Sequence, residues 1–493
     1  MRARRSTTAA AWSTALLALA VIAGTASPVA AAPDRPPVAP SPAPAAPRSS
    51  SADAQGPPTS GRFFVQNLVS GYNMSAGKEW IATHRPKGDE DGQQWEFARN
   101  ANGTYKIKNP DRDGKCLTEK NNPEGESRVV LGACDAAKTD WEFRHDAGER
   151  YRIFVPGTQR RLWGEPVLDS AMQVKITDRN ITNQDWYVTP IAPARTPMPA
   201  APKLDDMTFL TAHNAMHNTE DQSASGAPFP NQPHSISRQL KDGVRALMLD
   251  AHFSNGRVRL CHEIKILNPC NGNVEASKIF QNIADFLEQD KEAILTVFLE
   301  DYTTADQLKQ ELGSLLGEGK PLAGKVFRPD AEGVKENGWP TVKSMVDSGK
   351  RLLLFTADTA ASDPANGKHR LGFMSQADWT VENYWSMGSG LGKADWSCYS
   401  RWDRVPLSLE EKGFRRLFVM NHFRDVPMDP TYRNDNEKLQ NRAERFCAPA
   451  ARKKPNFLAV DEYKDGDPMA AVRALNTYTY HGDTPGMGGT AME

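Results

Sequence analysis

Between residues 207 and 463 the chain repeats one pattern, a short apolar run that ends in polar residues. The runs are "MTFLTAH" (207–213), "VRALMLDAH" (244–252), "RVRLCHE" (257–263), "EAILTVFLED" (292–301), "RLLLFTADT" (351–359), "RLFVMNHF" (416–423) and "NFLAVDEY" (456–463). Short, branched and apolar, they read as buried strands. Between them, "SISRQLKDG" and "ASKIFQNIADFLEQDK" carry apolar residues at helical spacing, with Ile279, Ile283, Phe286 and Leu287 forming one stripe. Strand–helix alternation predicts an α/β fold with a parallel sheet, and the length of 204–485 suits a (β/α)8 TIM-like barrel.

Residues 61–190 have another texture. Short runs (Tyr105–Ile107, Val129–Leu131, Tyr151–Val155) lie between Gly and Asn turns, which predicts all-β structure. Trp95, Trp141 and Trp186 recur 46 and 45 residues apart in "DGQQWEF", "AKTDWEF" and "TNQDWYV". A repeat of that period means repeated strand units around a shared core. Two Pro- and Ala-rich stretches, 33–60 and 191–203, read as linkers on either side of this domain. Residues 1–32 read as a signal peptide: "MRARRS" is a basic n-region, an apolar stretch follows, and small residues offer cleavage after Ala32. The expected protein is therefore secreted, and its apolar stretch is short for a membrane span.

Charge adds little. The 60 basic and 61 acidic residues give a net charge of −1, so no electrostatic case for nucleic acid arises. Six cysteines in an exported chain favour disulfides, and sequence proximity suggests Cys116–Cys134, Cys261–Cys270 and Cys398–Cys447. A zinc site is the rival reading, without CxxC or HxxxH spacing to support it. The chain is expected to act as a monomer.

The polar residues that close the apolar runs carry the chemistry. His213-Asn214, Asp250, His262, Glu300-Asp301, Asn421-His422 and Asp461 all stand at carboxyl ends of expected strands. In a parallel barrel those ends converge on one face, where active sites are built. Two imidazoles can act as general base and general acid near neutral pH. An amide oxygen beside carboxylates is a hard-oxygen set suited to Ca²⁺ or Mg²⁺, which would stabilise charge on a phosphoryl oxygen. The combination favours phosphodiester cleavage. No G-x-S-x-G elbow is present, which argues against a serine lipase.

These segments resemble the X domain of phosphatidylinositol-specific phospholipases C, in particular the phospholipase C-like phosphodiesterases of plants and bacteria. The likeness is carried by "TAHNAMH", "GVRALMLD", "RLCHE", "FLEDY", "LFVMNHF" and "PNFLAVDEY" across about 205–475. It implies His213 as general base, taking a proton from the inositol 2-hydroxyl, and His262 as general acid for the diacylglycerol oxygen. Asn214, Asp250 and Glu300 match the metal ligands of calcium-dependent members. Those members carry a glutamate two residues before the aspartate, where this chain has Met248, so Asp301 is a candidate to compensate. Asp301, Asp461 and Tyr463 are candidate substrate contacts. His252 and His422 are candidates to line the pocket, and His217 and His234 are expected in loops. Trp385, Trp396 and Trp402 suit either a membrane-touching rim or buried anchors.

The three tryptophan units resemble the ricin-type β-trefoil, through Gln93-x-Trp95 and Gln184-x-Trp186, with Thr139-x-Trp141 departing at the glutamine. That family binds sugars, which makes carbohydrate an expected partner beside the phospholipid. The family's sugar-binding aspartate position is Thr118 here. Two other readings stand beside phosphatidylinositol cleavage: a phosphodiesterase on glycerophosphodiester or sphingomyelin-type lipids, and a surface- or glycan-binding protein with a degenerate barrel.

Overall fold

A computed structural model describes residues 56–482, apart from 78–79, 88–90, 124–125, 148, 165–171, 182, 193, 222–229, 263–269, 271–272, 389–393, 403–404, 410, 412 and 425–435. The expected signal peptide and most of the first linker lie outside the described residues.

Residues 63–190 form one twelve-stranded antiparallel sheet. Six strands make a closed ring: Phe63–Asn67, Glu96–Arg99, Tyr105–Asn109, Asp140–Ala147, Arg150–Phe154 and Trp186–Pro190. Ladders join neighbours around it, and a Phe63–Trp95 bridge completes it. Three hairpins cap the ring: Asn73–Ala76 with Ile81–His84, Lys115–Lys120 with Ser127–Gly132, and Arg161–Gly164 with Met172–Thr177. The three-unit sequence period is thus a β-trefoil. Trp95, Trp141 and Trp186 are fully buried. Each indole N–H donates to a carbonyl at the start of its unit's hairpin, Met74, Leu117 and Leu162, so apolar bulk is buried without an orphaned donor.

The Gln-to-Thr departure has a local explanation. Gln93 and Gln184 each donate to a loop carbonyl, of Arg85 and Arg179. Thr139 does the same work with its hydroxyl, bonding the carbonyls of Cys134 and Ala136 in a loop that the Cys116–Cys134 disulfide ties down.

The second half is an α/β domain. Its strands are β1 (Phe209–Ala212), β2 (Ala246–Ser254), β3 (Arg257–Leu260), β4 (Leu295–Asp301), β5 (Leu352–Thr356), β6 (Met374–Ser375), β7 (Thr380–Glu382), β8 (Leu417–His422) and β9 (Phe457–Val460). Eight lie parallel in the order β6-β5-β4-β2-β1-β9-β8-β7. The segment "RVRLCHE" is not a member of this row: β3 folds back antiparallel on β2.

The row is a parallel half-barrel. Among the described residues no ladder joins β6 to β7, so the backbone pairing does not close the expected (β/α)8 barrel. The connection explains this. Only the four-residue helix Gln376–Trp379 lies between β6 and β7, whereas parallel neighbours need a crossover of about a dozen residues.

Alternation along the strands sorts side chains onto two faces. Leu247, Leu249, Val297, Leu299, Leu458 and Val460 pack against helices α1 (Ile236–Lys241), α2 (Ala276–Gln289) and α3 (Ala305–Leu316). In α2 the expected stripe is the buried face, with Ile279, Ile283 and Leu287 fully covered and Phe286 partly so. Phe209, Ala246, Met248, Phe298, Phe355 and Phe457 fill the inner face. By the same parity His213, Asp250, Glu300 and Asp461 continue the inner face past the strand ends, and Asp301 falls on the helix side.

The expected second linker is not a free spacer. Thr196–Pro197 pairs with Tyr478–Thr479, and Leu204 and Val342 bond to Pro340 and Pro202 carbonyls. Trefoil and half-barrel belong to one compact unit.

Candidate active site

His213 follows β1, its backbone N–H bonded to the Val460 carbonyl. Its Nδ1 lies 2.7 Å from Asp461 Oδ1, and its ring stacks on Phe423 with centroids 3.5 Å apart. A carboxylate accepts only, so Nδ1 carries the proton and Nε2 is left basic. The other Asp461 oxygen accepts from Asn231 Nδ2 at 3.0 Å. Asn231 Oδ1 in turn lies 2.7 Å from His217 Nδ1. Asp461 therefore sits behind the imidazole rather than at a substrate head group. His217, expected in a loop, is buried and belongs to this polar chain.

His262 lies just beyond β3, with its ring 5.2 Å from that of His217. Burial first, then the neighbouring imidazoles of His217 and His213, lower its pKa to about 4, with Asp461 and Glu300 pulling the other way. These four groups thus bear on one imidazole. Asn214 stands at φ 44°, a left-handed turn that asparagine tolerates.

A stability consequence follows. The unfolded chain takes a proton on this histidine as pH falls below about 6.5, while the folded site resists until about 4. The fold should therefore lose up to about 2–3 kcal/mol between those values. His262→Asn is expected to flatten the fall of Tm across this window; an unchanged slope counts against the assignment.

Asp250 and Glu300 are register partners on β2 and β4. Asp250 is almost fully buried; desolvation, then the charge of Glu300, push its carboxyl well up, and Arg401 opposes them. Glu300 is exposed and accepts from the Tyr302 hydroxyl. Asn214 is brought beside β2 by the bond from Ala215 N to the Met248 carbonyl. Met248 packs with the inner apolar cluster. Arg401 Nη1 bonds Glu382 Oε1 at 3.0 Å, and the carboxylates of Glu382 and Glu300 favour its charge.

Two expected contacts are placed elsewhere. Asp301 is paired with Lys368 at 2.8 Å and accepts from the Thr303 and Thr356 hydroxyls. It faces the helix layer and does not stand in for the missing glutamate. Tyr463 is buried, its hydroxyl donating to Asp242 at 2.7 Å. Burial and Asp242 raise its pKa. His252 stacks on Tyr302, and His422 is buried beside Trp396 and Arg442. His234 pairs with Glu220 in a loop. Trp396 packs partly against the core. The cysteines are bonded as expected, Cys261–Cys270 and Cys398–Cys447 included. His252 comes within 4.8 Å of both sulfurs of the first pair, which as a disulfide offers no thiolate to a metal. No described helix is long and apolar enough to cross a membrane.

The PI-PLC X model matches residues 201–476, more than half the chain. The chain belongs to the PI-PLC X family. Its X domain holds every residue named above from β1 onward except those near the carboxyl end of the described chain. A second model, ricin-type beta-trefoil lectin domain-like, matches residues 91–169. A PI-PLC X domain-containing protein of Arabidopsis thaliana is 30% identical over 270 residues, 53% of this chain and 58% of that protein. An uncharacterized secreted protein of Arthroderma benhamiae is 23% identical over 300 residues, 56% of this chain and 62% of that one. The chain thus spans about three-fifths of these relatives. The ricin B-like lectin of Macrolepiota procera, solved with lactose, is 18% identical, with a TM-score of 0.23 over 28% of this chain and 98% of the lectin.

Sequence reasoning missed Asn231, Phe423, Arg401 and Glu382. Phe423 closes the run "RLFVMNHF" and Glu382 ends β7, but an apolar ring and a lone carboxylate after a three-residue strand carry no signal of a site. Arg401 and Asn231 arrive from irregular segments whose course no periodicity reveals.

Proposed function

We propose that this PI-PLC X domain is a secreted phosphodiesterase of phospholipase C type, acting on phosphatidylinositol-like lipid through a cyclic inositol phosphate. The observation that carries the reading is the 2.7 Å His213–Asp461 bond in a site whose second imidazole, His262, is coupled electrostatically to the first. His213 Nε2 takes the proton of the inositol 2-hydroxyl, the freed oxygen attacks phosphorus, and the bond to the diacylglycerol oxygen breaks. His262 supplies that oxygen's proton. At neutral pH free His262 is mostly neutral; an anionic phosphate beside it favours the protonated ring. The signal-like leader, the three disulfides and a relative named as secreted support export.

The donor set suits a hard cation: two carboxylates in register, the Asp250 carboxyl pushed up by burial and then by the charge of Glu300, with an amide beside them. Asn214, Asp250 and Glu300 would hold Ca²⁺ or Mg²⁺, which would supply charge stabilisation at the phosphoryl oxygen. Millimolar Ca²⁺ is expected to raise Tm by mass action, and Asp250→Asn to abolish the rise. A rise that persists in the variant places the cation elsewhere.

The test of function is product analysis with phosphatidylinositol vesicles, with and without chelator. A water-soluble cyclic phosphate supports the proposal. Release of a different head group selects glycerophosphodiester or sphingomyelin-type substrates. An inert protein that still binds glycans selects the second reading, which the lectin-like match and a trefoil cavity of about 230 Å³ with Trp141, Val155 and Pro156 in its wall favour. That cavity is lined by Asn102, Thr104, Glu119, Lys138 and Asp140 among others. Thr118, at the family's aspartate position, bonds its own strand at the Cys116 carbonyl.

A further inference from the structure

We propose that the trefoil is a clamp that positions Arg401 at the acid pair, through the loop 394–402. The proposal rests on the X domain being catalytic for its kinetic part only. On the trefoil side, Arg85 and Pro86 follow the first hairpin, and Gln93 fixes the Arg85 carbonyl at 2.9 Å. The Pro86 carbonyl accepts from Cys398 N at 2.9 Å. The Arg85 guanidinium lies 3.9 Å over the Tyr399 ring and 3.7 Å from the Asp395 carboxylate. Three contacts from one short segment thus hold three nearby residues of the loop.

The loop passes that constraint inward. Tyr399 stacks on Tyr384 with centroids 5.2 Å apart, and its carbonyl accepts from Tyr384 N. Two residues on, Arg401 is bonded to Glu382 twice, backbone to backbone at 2.9 Å and side chain to side chain at 3.0 Å. From there its charge bears on Glu300, Tyr302 and Asp250. The α/β half holds the same loop through the Cys398–Cys447 disulfide and through the Arg442 guanidinium, which donates to the Trp396 and Ser397 carbonyls at 3.3 and 3.2 Å, so the trefoil contacts add to these rather than replace them.

The trefoil can hold the loop because it is itself fixed at a second place. Arg452 pairs with Glu149 at 2.9 Å and lies 3.7 Å over the Tyr187 ring, and Gln66 donates to the Ala450 carbonyl at 2.8 Å. Here the repeat glutamine, Gln93, serves the clamp.

The test uses the full chain with Arg85→Ala, Arg85→Lys and, at the second attachment, Glu149→Gln. Arg85 keeps 39% of its side chain exposed, so its loss leaves no buried hole. Amide hydrogen exchange is read at Tyr384, Cys398 and Arg401, with kcat and KM on phosphatidylinositol vesicles. Arg85→Ala is expected to speed exchange at these amides about tenfold and to lower kcat by a similar factor with KM little changed. Arg85→Lys, which keeps the charge facing Asp395, should recover part of both, and Glu149→Gln, which loosens the trefoil at its second attachment, should speed exchange at the same amides to a smaller extent. Unchanged exchange in Arg85→Ala overturns the clamp. Faster exchange with an unaltered kcat overturns the positioning role. A wild-type protein inert toward every phosphodiester overturns the functional reading alone, and exchange still decides the clamp.

Discussion

Asp461→Asn is expected to cut kcat/KM on phosphodiester substrate by about 10³- to 10⁴-fold while leaving the protein folded, the size seen when a buried carboxylate behind a catalytic imidazole becomes an amide. The geometry explains why an isostere should fail. Both Asp461 oxygens accept, one facing His213 Nδ1 at 2.7 Å and the other Asn231 Nδ2 at 3.0 Å. An asparagine has one acceptor for two donors. If its NH₂ faces His213, the imidazole must protonate Nε2 and cease to be a base. If its NH₂ faces Asn231, that amide must turn, which disturbs the Asn231–His217 bond. His213→Ala removes the base itself and should cost at least as much. The measurement is steady-state kinetics beside circular dichroism and Tm. Activity within tenfold of wild type in Asp461→Asn would sink the base assignment, since a properly oriented His213 would then not be needed.

How much of this was legible beforehand depended on what each residue's position rests upon. His213, Asp250, Glu300 and Asp461 stand at the ends of apolar runs, and strand periodicity alone fixes which face such residues continue. Their convergence followed from the parallel pattern. The same parity rule separates Glu300 from Asp301, adjacent in sequence and on opposite faces; a reading that counted both as site carboxylates ignored the alternation. The tryptophan spacing announced the trefoil because its indoles each repeat one packing task. What the sequence left dark was set by chain that obeys no period. Asn231 and Arg401 reach the site from irregular loops, and His217 looked like loop polarity because its partner lies across the site at Asp461, through Asn231. Closure of the sheet was over-read for a related reason: segment length suggests eight strand–helix units, yet β6 and β7 are too short, and too closely joined, to be an ordinary pair.

Lys368→Met is expected to lower folding stability by about 3–5 kcal/mol, the cost of stripping one partner from a buried ion pair. Lys368 Nζ lies 2.8 Å from Asp301 and 2.8 Å from Asp358, and it also donates to the Thr303 carbonyl. The side chains of Lys368 and Asp301 are 4% and 0% exposed. Without the ammonium, Asp301 keeps only neutral donors, Thr303 N at 2.9 Å and the hydroxyls of Thr303 and Thr356 at 2.7 and 3.2 Å, with Asp358 as an unscreened neighbour. Asp301→Leu in the Lys368→Met background removes the stranded carboxylate and should restore part of the loss, because an apolar pair needs no compensation. Urea unfolding of the single and double variants reads the stability, and KM on vesicles reads the alternative. If Asp301 were a head-group contact or a substitute metal ligand, the double variant would be stable yet bind substrate at least about tenfold more weakly, the loss of one charged hydrogen bond. A restored fold with an unaltered KM assigns Asp301 to holding β4, β5 and the helix layer together, and leaves the acid pair of the site as Asp250 and Glu300.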